Sequence, residues 1–290
     1  MTEKYLYVVN PKSGTGAGRK DAHERLVELL GKDHLEIIET KGKGDVERVL
    51  SKIKEIDPAL LIIGGGDGTL RNLAPALRSS GIPGAIIPLG SANGLARCLA
   101  IEDMDDAFEA ISKKKAKKID LLEINNEICL HLSDFGFNAS MIKRYEQESE
   151  RGMLSYFKSS LAQFLDMKPY RFAITLDGEH FETNARMLVI ANGDRYGTGA
   201  LINPRGKLDD GIMEIVSLNP QGLDDILAIS IAMFQGTLHE SEAVTIRRAK
   251  KAQVINKDGA DFQIDGEVME NPGKIDIVCK QGQITFLSRL

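Results

Sequence analysis

Three times in the first third of the chain, a short apolar run stops at glycines and gives way to a helical pattern. The glycine clusters are Asn10 to Gly18 (NPKSGTGAG), Gly64 to Thr69 (GGGDGT) and Gly90 to Gly94 (GSANG). Tyr5 to Val9, Leu35 to Ile38, Ala59 to Ile63 and Gly84 to Pro88 are the apolar runs. Each is short, β-branched or continuously apolar, and bounded by Pro, Asn or Gly, which predicts strands covered on both faces. Between them, Ala22, Leu26, Leu29 and Leu30, then Val46, Val49, Leu50 and Ile53, then Leu70, Leu73, Ala74 and Leu77 recur at helical spacing. Helices are also expected over Ala92 to Ala100 and around Met104, Ala107, Phe108 and Ile111, and Pro75 is the awkward residue of its helix because it removes a backbone bond. Strands alternating with helices imply a doubly wound parallel sheet, whose ligands bind at the carboxyl ends of the strands. The glycine clusters sit at those ends.

From Ile119 the pattern becomes strand after strand, in DLLEIN, EICLHLSDFGF, YRFAITLDGEHFETN, ARMLVIANG, IMEIVSLN, AVTIRR, AQVINK, DFQIDGE and KIDIVC. Short strands separated by Gly, Asn, Asp or Pro predict an all-β sandwich or barrel. Helices interrupt it at about 152 to 166 and 222 to 236. The expected division is therefore an α/β domain over residues 1–120 and a β domain over 121–282, with a last strand at 283–290 returning to the first. Two domains suit a chain of 290 residues.

Hydrophobic residues at 42% and charged residues at 27% are ordinary for a globular protein. The net charge of −5 argues against nucleic acid, so an anionic ligand must be handled locally. Cys98, Cys129 and Cys279 form neither a metal pair nor a disulfide framework, which fits a reducing cytoplasm. The N-terminus lacks the layout of a signal peptide, and the longest apolar run, Ile226 to Phe234, is too short for a transmembrane span. The basic run KKKAKK at 113–118 reads as a solvated helix end or, more sharply, as a contact with anionic lipid head groups, and the five scattered histidines have no ligand spacing.

A glycine-rich turn that leads into a helix lets an anion approach the backbone and offers it unpaired N–H groups. Phosphate is the expected ligand. Asp67 inside GGGDGT would repel phosphate unless a divalent cation lies between them, which points to Mg²⁺ and a nucleotide or polyphosphate. The first turn is neither a Walker A loop nor GxGxxG.

NPKSG, GGGDGTL, LGSANGLAR, RGMLSYF at Arg151 to Phe157, KLDDG and QIDGE, in that order, resemble the diacylglycerol kinase catalytic-domain family, which includes bacterial lipid kinases and the sphingosine and ceramide kinases. The resemblance spans nearly the whole chain. It implies an NAD kinase or diacylglycerol kinase-like α/β domain, a β-sandwich domain, and Mg²⁺-dependent transfer of phosphoryl from ATP to a lipid hydroxyl. By matched motif, Asn10, Pro11, Lys12, Ser13, Gly14, Thr40, Gly66, Asp67, Gly68, Thr69, Leu70, Arg71, Asn72 and Ser91 would surround the nucleotide. Asp67 would organise the catalytic metal and Glu267 would be the general base. KLDDG resembles a second, structural metal site in which Asp210 gives a carboxylate and Lys207 and Ile212 give carbonyl oxygens.

Two departures stand out. Bacterial members commonly follow GDGT with a hydrophobic residue, Asn and Glu, where this chain has Leu70, Arg71 and Asn72. They carry GTxND where this chain has GSANG, with Gly94 in place of the acid, a form closer to the sphingosine and ceramide kinases. Asp120 matches a recurring family acid. Leu154, Phe157, Leu161, Phe164 and Leu165 form an apolar stripe flanked by Arg151 and Lys158, either plain core or part of an acyl-chain cavity or membrane-contacting lip. The expected partner is a lipid met peripherally at the inner membrane face by a cytoplasmic protein, with a homodimer left open. A soluble-metabolite kinase of the NAD kinase type and a non-catalytic nucleotide-binding regulator stay as alternatives.

Overall fold

The apolar runs of the first third become strands in the computed structural model, which describes residues 3–136 and 168–290. Tyr5–Val9 (β1), Leu35–Glu39 (β2), Leu60–Gly65 (β3) and Gly84–Pro88 (β4) form a parallel sheet in the order β2-β1-β3-β4. Tyr5 is in register with Leu35 on one side and Leu60 on the other, and Leu61 with Gly84. β1 and β3 are buried along their whole length while β2, at the edge, is partly exposed, as its mixed sequence LEIIE requires.

Helices Gly16–Leu30 (α1), Asp45–Ile56 (α2), Asp67–Ser80 (α3), Gly94–Cys98 (α4) and Met104–Lys113 (α5) connect and follow these strands. Thr15 caps α1 by accepting the Gly18 N–H at 3.0 Å. α3 continues through Pro75 and buries Leu70, Leu73, Ala74 and Leu77. α4 is shorter than the spacing predicts: Asn93 bonds Gly90 through both its side-chain oxygen and nitrogen, which holds residues 90–93 in a loop outside the helix.

The remaining strands are Ala116–Ile124 (β5), Glu127–Cys129 (β6), Leu132–Gly136 (β7), Tyr170–Leu176 (β8), Glu179–Ala185 (β9), Met187–Ala191 (β10), Met213–Leu218 (β11), Val244–Ala249 (β12), Lys251–Asn256 (β13), Phe262–Ile264 (β14), Glu267–Met269 (β15) and Lys274–Leu287 (β16). Among the described residues, the α-helix Leu223–Gln235 (α6) lies between these strands. KIDIVC and the C-terminal run, expected as separate strands, are one strand of 14 residues. Its first half pairs antiparallel with β13, and near its end Phe286 pairs parallel with Gly84 of β4.

By contacts the chain divides into Met1–Leu121 with Gln281–Leu290, and Leu122–Lys280. In the second unit, β12-β11-β10-β7-β14-β15 form one antiparallel sheet, and β16-β13-β8-β9 belong to the other. Phe135, Leu188, Ile190, Ile215 and Phe262 from the first meet Phe172, Ile174, Val254, Ile275 and Ile277 from the second in one core, which makes the unit a β-sandwich. A separate core on the outer face of the first sheet gathers Leu132, Val189 and Val216 with Ile229 of α6. The apolar stripe over Leu154 to Leu165, the helix at about 152 to 166 and the segment RGMLSYF lie outside the described residues.

Candidate functional site

The parallel sheet brings four loops to one edge. The chain leaves β2 at Thr40, β1 at Asn10, β3 at Gly66 and β4 at Leu89, and short backbone bonds continue the ladder past the strand ends: Thr40 N–H to Val9 at 2.9 Å, Asn10 N–H to Gly64 at 2.9 Å, and Leu89 N–H to Gly65 at 3.1 Å. This is the carboxyl edge at which doubly wound sheets bind ligands.

A cleft of about 170 Å³ opens there. Of the residues expected from sequence, Asn10, Pro11, Lys12, Thr40, Thr69 and Asn72 line it. Asn10 organises its floor: its side-chain nitrogen donates to Thr69 Oγ1 at 3.0 Å and its oxygen accepts the Lys12 N–H at 2.9 Å. Lys41, Gly42, Asp45 and Leu73 also line the cleft, and sequence reasoning passed over them. Asp45 is 7% exposed and accepts the Lys41 and Gly42 N–H groups at 2.7–3.0 Å and the Arg48 guanidinium at 2.6 Å. The signal was TKGKGD after the second strand, where Gly42 and Gly44 take positive φ and an acid opens α2.

The other expected residues stand outside the cleft. Arg19 holds the first loop by donating to the Ser13 and Gly14 carbonyls at 2.7 and 3.1 Å. Leu70 and Arg71 are 1% and 8% exposed, because α3 turns them toward the interior. Ser91 is exposed in the loop before α4.

Asp67 binds backbone: Oδ2 accepts the Gly94 N–H at 2.8 Å and Oδ1 the Leu95 N–H at 3.1 Å. It thus caps α4, a helix 27 residues further on, whose first residue, Gly94, supplies a backbone donor. Each oxygen keeps a second lone pair.

Several glycines of these turns answer to the chain itself. A Cβ on Gly90 would lie 2.5 Å from the Gly66 Cα, one on Gly14 2.7 Å from the Leu89 carbonyl oxygen, and one on Gly64 2.5 Å from the Tyr7 hydroxyl. That hydroxyl is buried without a hydrogen-bond partner among the described residues, and burial pushes its pKa up to about 12.

In the second unit, Asp265 and Gly266 at φ 48° and 85° form the two-residue turn between β14 and β15, and Glu267 follows, half-buried. Asp265 is 5% exposed, and its carboxylate accepts the Leu130, His131 and Leu132 N–H groups at 2.8, 2.9 and 3.2 Å. Gln263 accepts the Gly266 N–H at 2.7 Å and donates to the fully buried Asp134. The turn carrying Glu267 is therefore pinned on both sides by residues outside the sequence-predicted set.

KLDDG places its charges against arginine. Asp210 accepts the Ile212 N–H at 3.1 Å and the Arg248 guanidinium at 2.6 Å, and Arg248 also donates to Glu214 at 3.0 Å. Burial pushes the Glu214 carboxyl up, opposed by its bonds to Asn203 and Arg248. Arg248 thus pairs with Asp210, and Lys207 and Ile212, the other residues expected at this site, flank Asp210 in sequence. Asp120, fully buried, accepts the Gly282 N–H at 2.7 Å and so fixes a turn of backbone within the first unit.

The family model for the diacylglycerol kinase catalytic domain matches residues 4–124, and that for the YegS C-terminal NAD kinase beta sandwich-like domain matches residues 134–284. A probable lipid kinase YegS-like from Pseudomonas aeruginosa is 30% identical over 78% of this chain and 76% of its own length. Another, from Enterobacter sp. strain 638, is 27% identical over 90% of this chain and 88% of its own. The crystal structure of a diacylglycerol kinase from Bacillus anthracis str. Sterne shares the fold, with a TM-score of 0.77 at 24% identity over 99% of this chain and 97% of that one.

Proposed function

The chain belongs to the diacylglycerol kinase catalytic-domain family of YegS-like lipid kinases, and on that premise we propose that it transfers the γ-phosphoryl group of Mg²⁺-ATP to the hydroxyl of a lipid, diacylglycerol or a related lipid or sphingoid base. The observation that carries the reading is the cleft at the carboxyl edge of the parallel sheet, where Asn10, Thr40 and Thr69 supply polar groups and Lys12 and Lys41 supply positive charge.

The residues fit both groups. At about 170 Å³ the cleft is smaller than whole-ligand pockets of about 300–1,000 Å³, so it seats one part of a nucleotide. A Mg²⁺ ion keeps most of its waters and takes one or two carboxylates plus phosphate oxygens, and Asp67 offers one carboxylate with lone pairs to spare. The ion would neutralise charge on the phosphates. As general base, Glu267 would accept the proton of the lipid hydroxyl when that oxygen takes the γ-phosphoryl group and ADP leaves.

The test is transfer of labelled γ-phosphate from Mg²⁺-ATP to diacylglycerol, monoacylglycerol, phosphatidylglycerol, sphingoid base and ceramide in mixed micelles. Glu267→Gln is expected to lower kcat by about 10²–10⁴ with nucleotide binding kept. No labelled lipid from any acceptor, alongside measurable ATP binding, would overturn the reading in favour of a soluble acceptor or a nucleotide-binding regulator.

A further inference from the structure

Eight large hydrophobic side chains are exposed among the described residues, and half of them share one helix: Leu223 at 60%, Leu227 at 62%, Ile231 at 48% and Phe234 at 70%, all on α6. Their spacing of four, four and three residues places them in one stripe along the helix. The opposite side anchors α6, with Ile229 buried and Ala232 and Met233 packed on the core that also holds Val189 and Val216. Scattered exposed leucines need no explanation, but a stripe of four on a helix already anchored by its other side does.

Charge selects the occupant. From Ile226 to Leu238 the sequence carries no charged residue, and from Gln221 to Ala243 it carries no Lys or Arg. The flanks are acidic, with Asp224 and Asp225 at one end and Glu240 and Glu242 at the other. Pairing this stripe with the same stripe of a second copy sets acid beside acid in either direction, so it is not self-complementary. An anionic bilayer is disfavoured for the same reason, since helices that lie on such surfaces draw affinity from Lys and Arg on their polar side.

We propose that α6 is a docking element for an uncharged or zwitterionic lipid surface, with Leu223, Leu227, Ile231 and Phe234 seated among the acyl chains. This rests on the lipid-kinase reading with diacylglycerol as the acceptor, because that uncharged lipid resides in such a surface and must be reached there.

The experiment is flotation of the full chain with phosphatidylcholine vesicles containing diacylglycerol, with and without added phosphatidylglycerol, for the wild type and for Leu227→Gln with Phe234→Gln. Both side chains point to solvent, so the variant keeps its circular dichroism and its thermal midpoint. Binding of the wild type that weakens when phosphatidylglycerol is added, and a fall of about tenfold or more in the variant, is the expected result. Activity on monomeric dioctanoylglycerol is expected to be unchanged in the variant. Vesicle binding equal in wild type and variant overturns the proposal, as does a wild-type dimer in sedimentation that the variant loses while still floating. Helix-dependent flotation without phosphorylation of any lipid leaves the surface standing and removes the kinase reading; phosphorylation with helix-independent flotation does the reverse.

Discussion

At the scale of single residues, the glycines and the acid of GGGDGT were legible as special but not in what they touch. Gly66 and Gly90 belong to turns 24 positions apart that approach each other closely, and no local pattern announces that contact. A Cβ on Gly90 would sit 2.5 Å from backbone and 2.8 Å from Asn93 Oδ1, so the loop must open to admit it. Gly90→Ala is therefore expected to destabilise by about 1–3 kcal/mol in urea unfolding, whereas Gly273→Ala, with nothing within 4 Å, shifts the midpoint by less than the error. Asp67 has two tasks that one variant separates. Asp67→Asn removes a charged acceptor from the start of α4, at a cost of about 1 kcal/mol without ligand. If Asp67 also holds Mg²⁺, the rise in Tm that Mg²⁺-ATP gives the wild type disappears in the variant. A loss of stability with the ligand-induced rise retained would confine Asp67 to capping.

At the scale of elements, strands bounded by Pro, Asn or Gly were readable because the boundary is local, and α6 was readable from its length and apolar run. β16 was not readable as one strand. Gly282 at φ 60° and the polar residues around it look like a turn, and the strand changes partner along its length from β13 to β4. The turn between β14 and β15 shows the same limit at the candidate base. Asp-Gly is a hairpin signal in any sequence, but the reach of Asp265 back to residues 130–132 depends on β14 lying beside β7. Three N–H groups on one buried carboxylate make a strong anchor. Asp265→Asn can satisfy only part of that set and places an amide N–H₂ against backbone donors, so a loss of about 2–3 kcal/mol is expected. If the anchor also fixes Glu267, kcat on the acceptor lipid falls in folded Asp265→Asn while KM for ATP holds. Unchanged kcat would leave the anchor a structural device alone.

At the scale of the whole molecule, the chain crosses between its two units after Leu121 and again after Lys280, and the second crossing matters for stability. Phe286 is fully buried, and its ring lies so close to Gly84 that a Cβ there would be 2.8 Å from it. The last ten residues thus complete the core of the unit that the chain began, which makes the first unit's stability depend on the C-terminus. Phe286→Ala is expected to cost about 3–5 kcal/mol, the range for emptying a buried aromatic site. The loss should be local. The contacts of β16 with β13 run from Lys274 to Val278 and do not involve Phe286, and the sandwich has a core of its own. Hydrogen exchange followed by mass spectrometry reads the distribution directly: in the variant, amides of β1, β3 and β4 are expected to lose protection while those of β10, β11 and β13 keep it. Equal loss across all six strands would mean that the two units unfold as one cooperative body, and the separate cores would then not correspond to separate folding units.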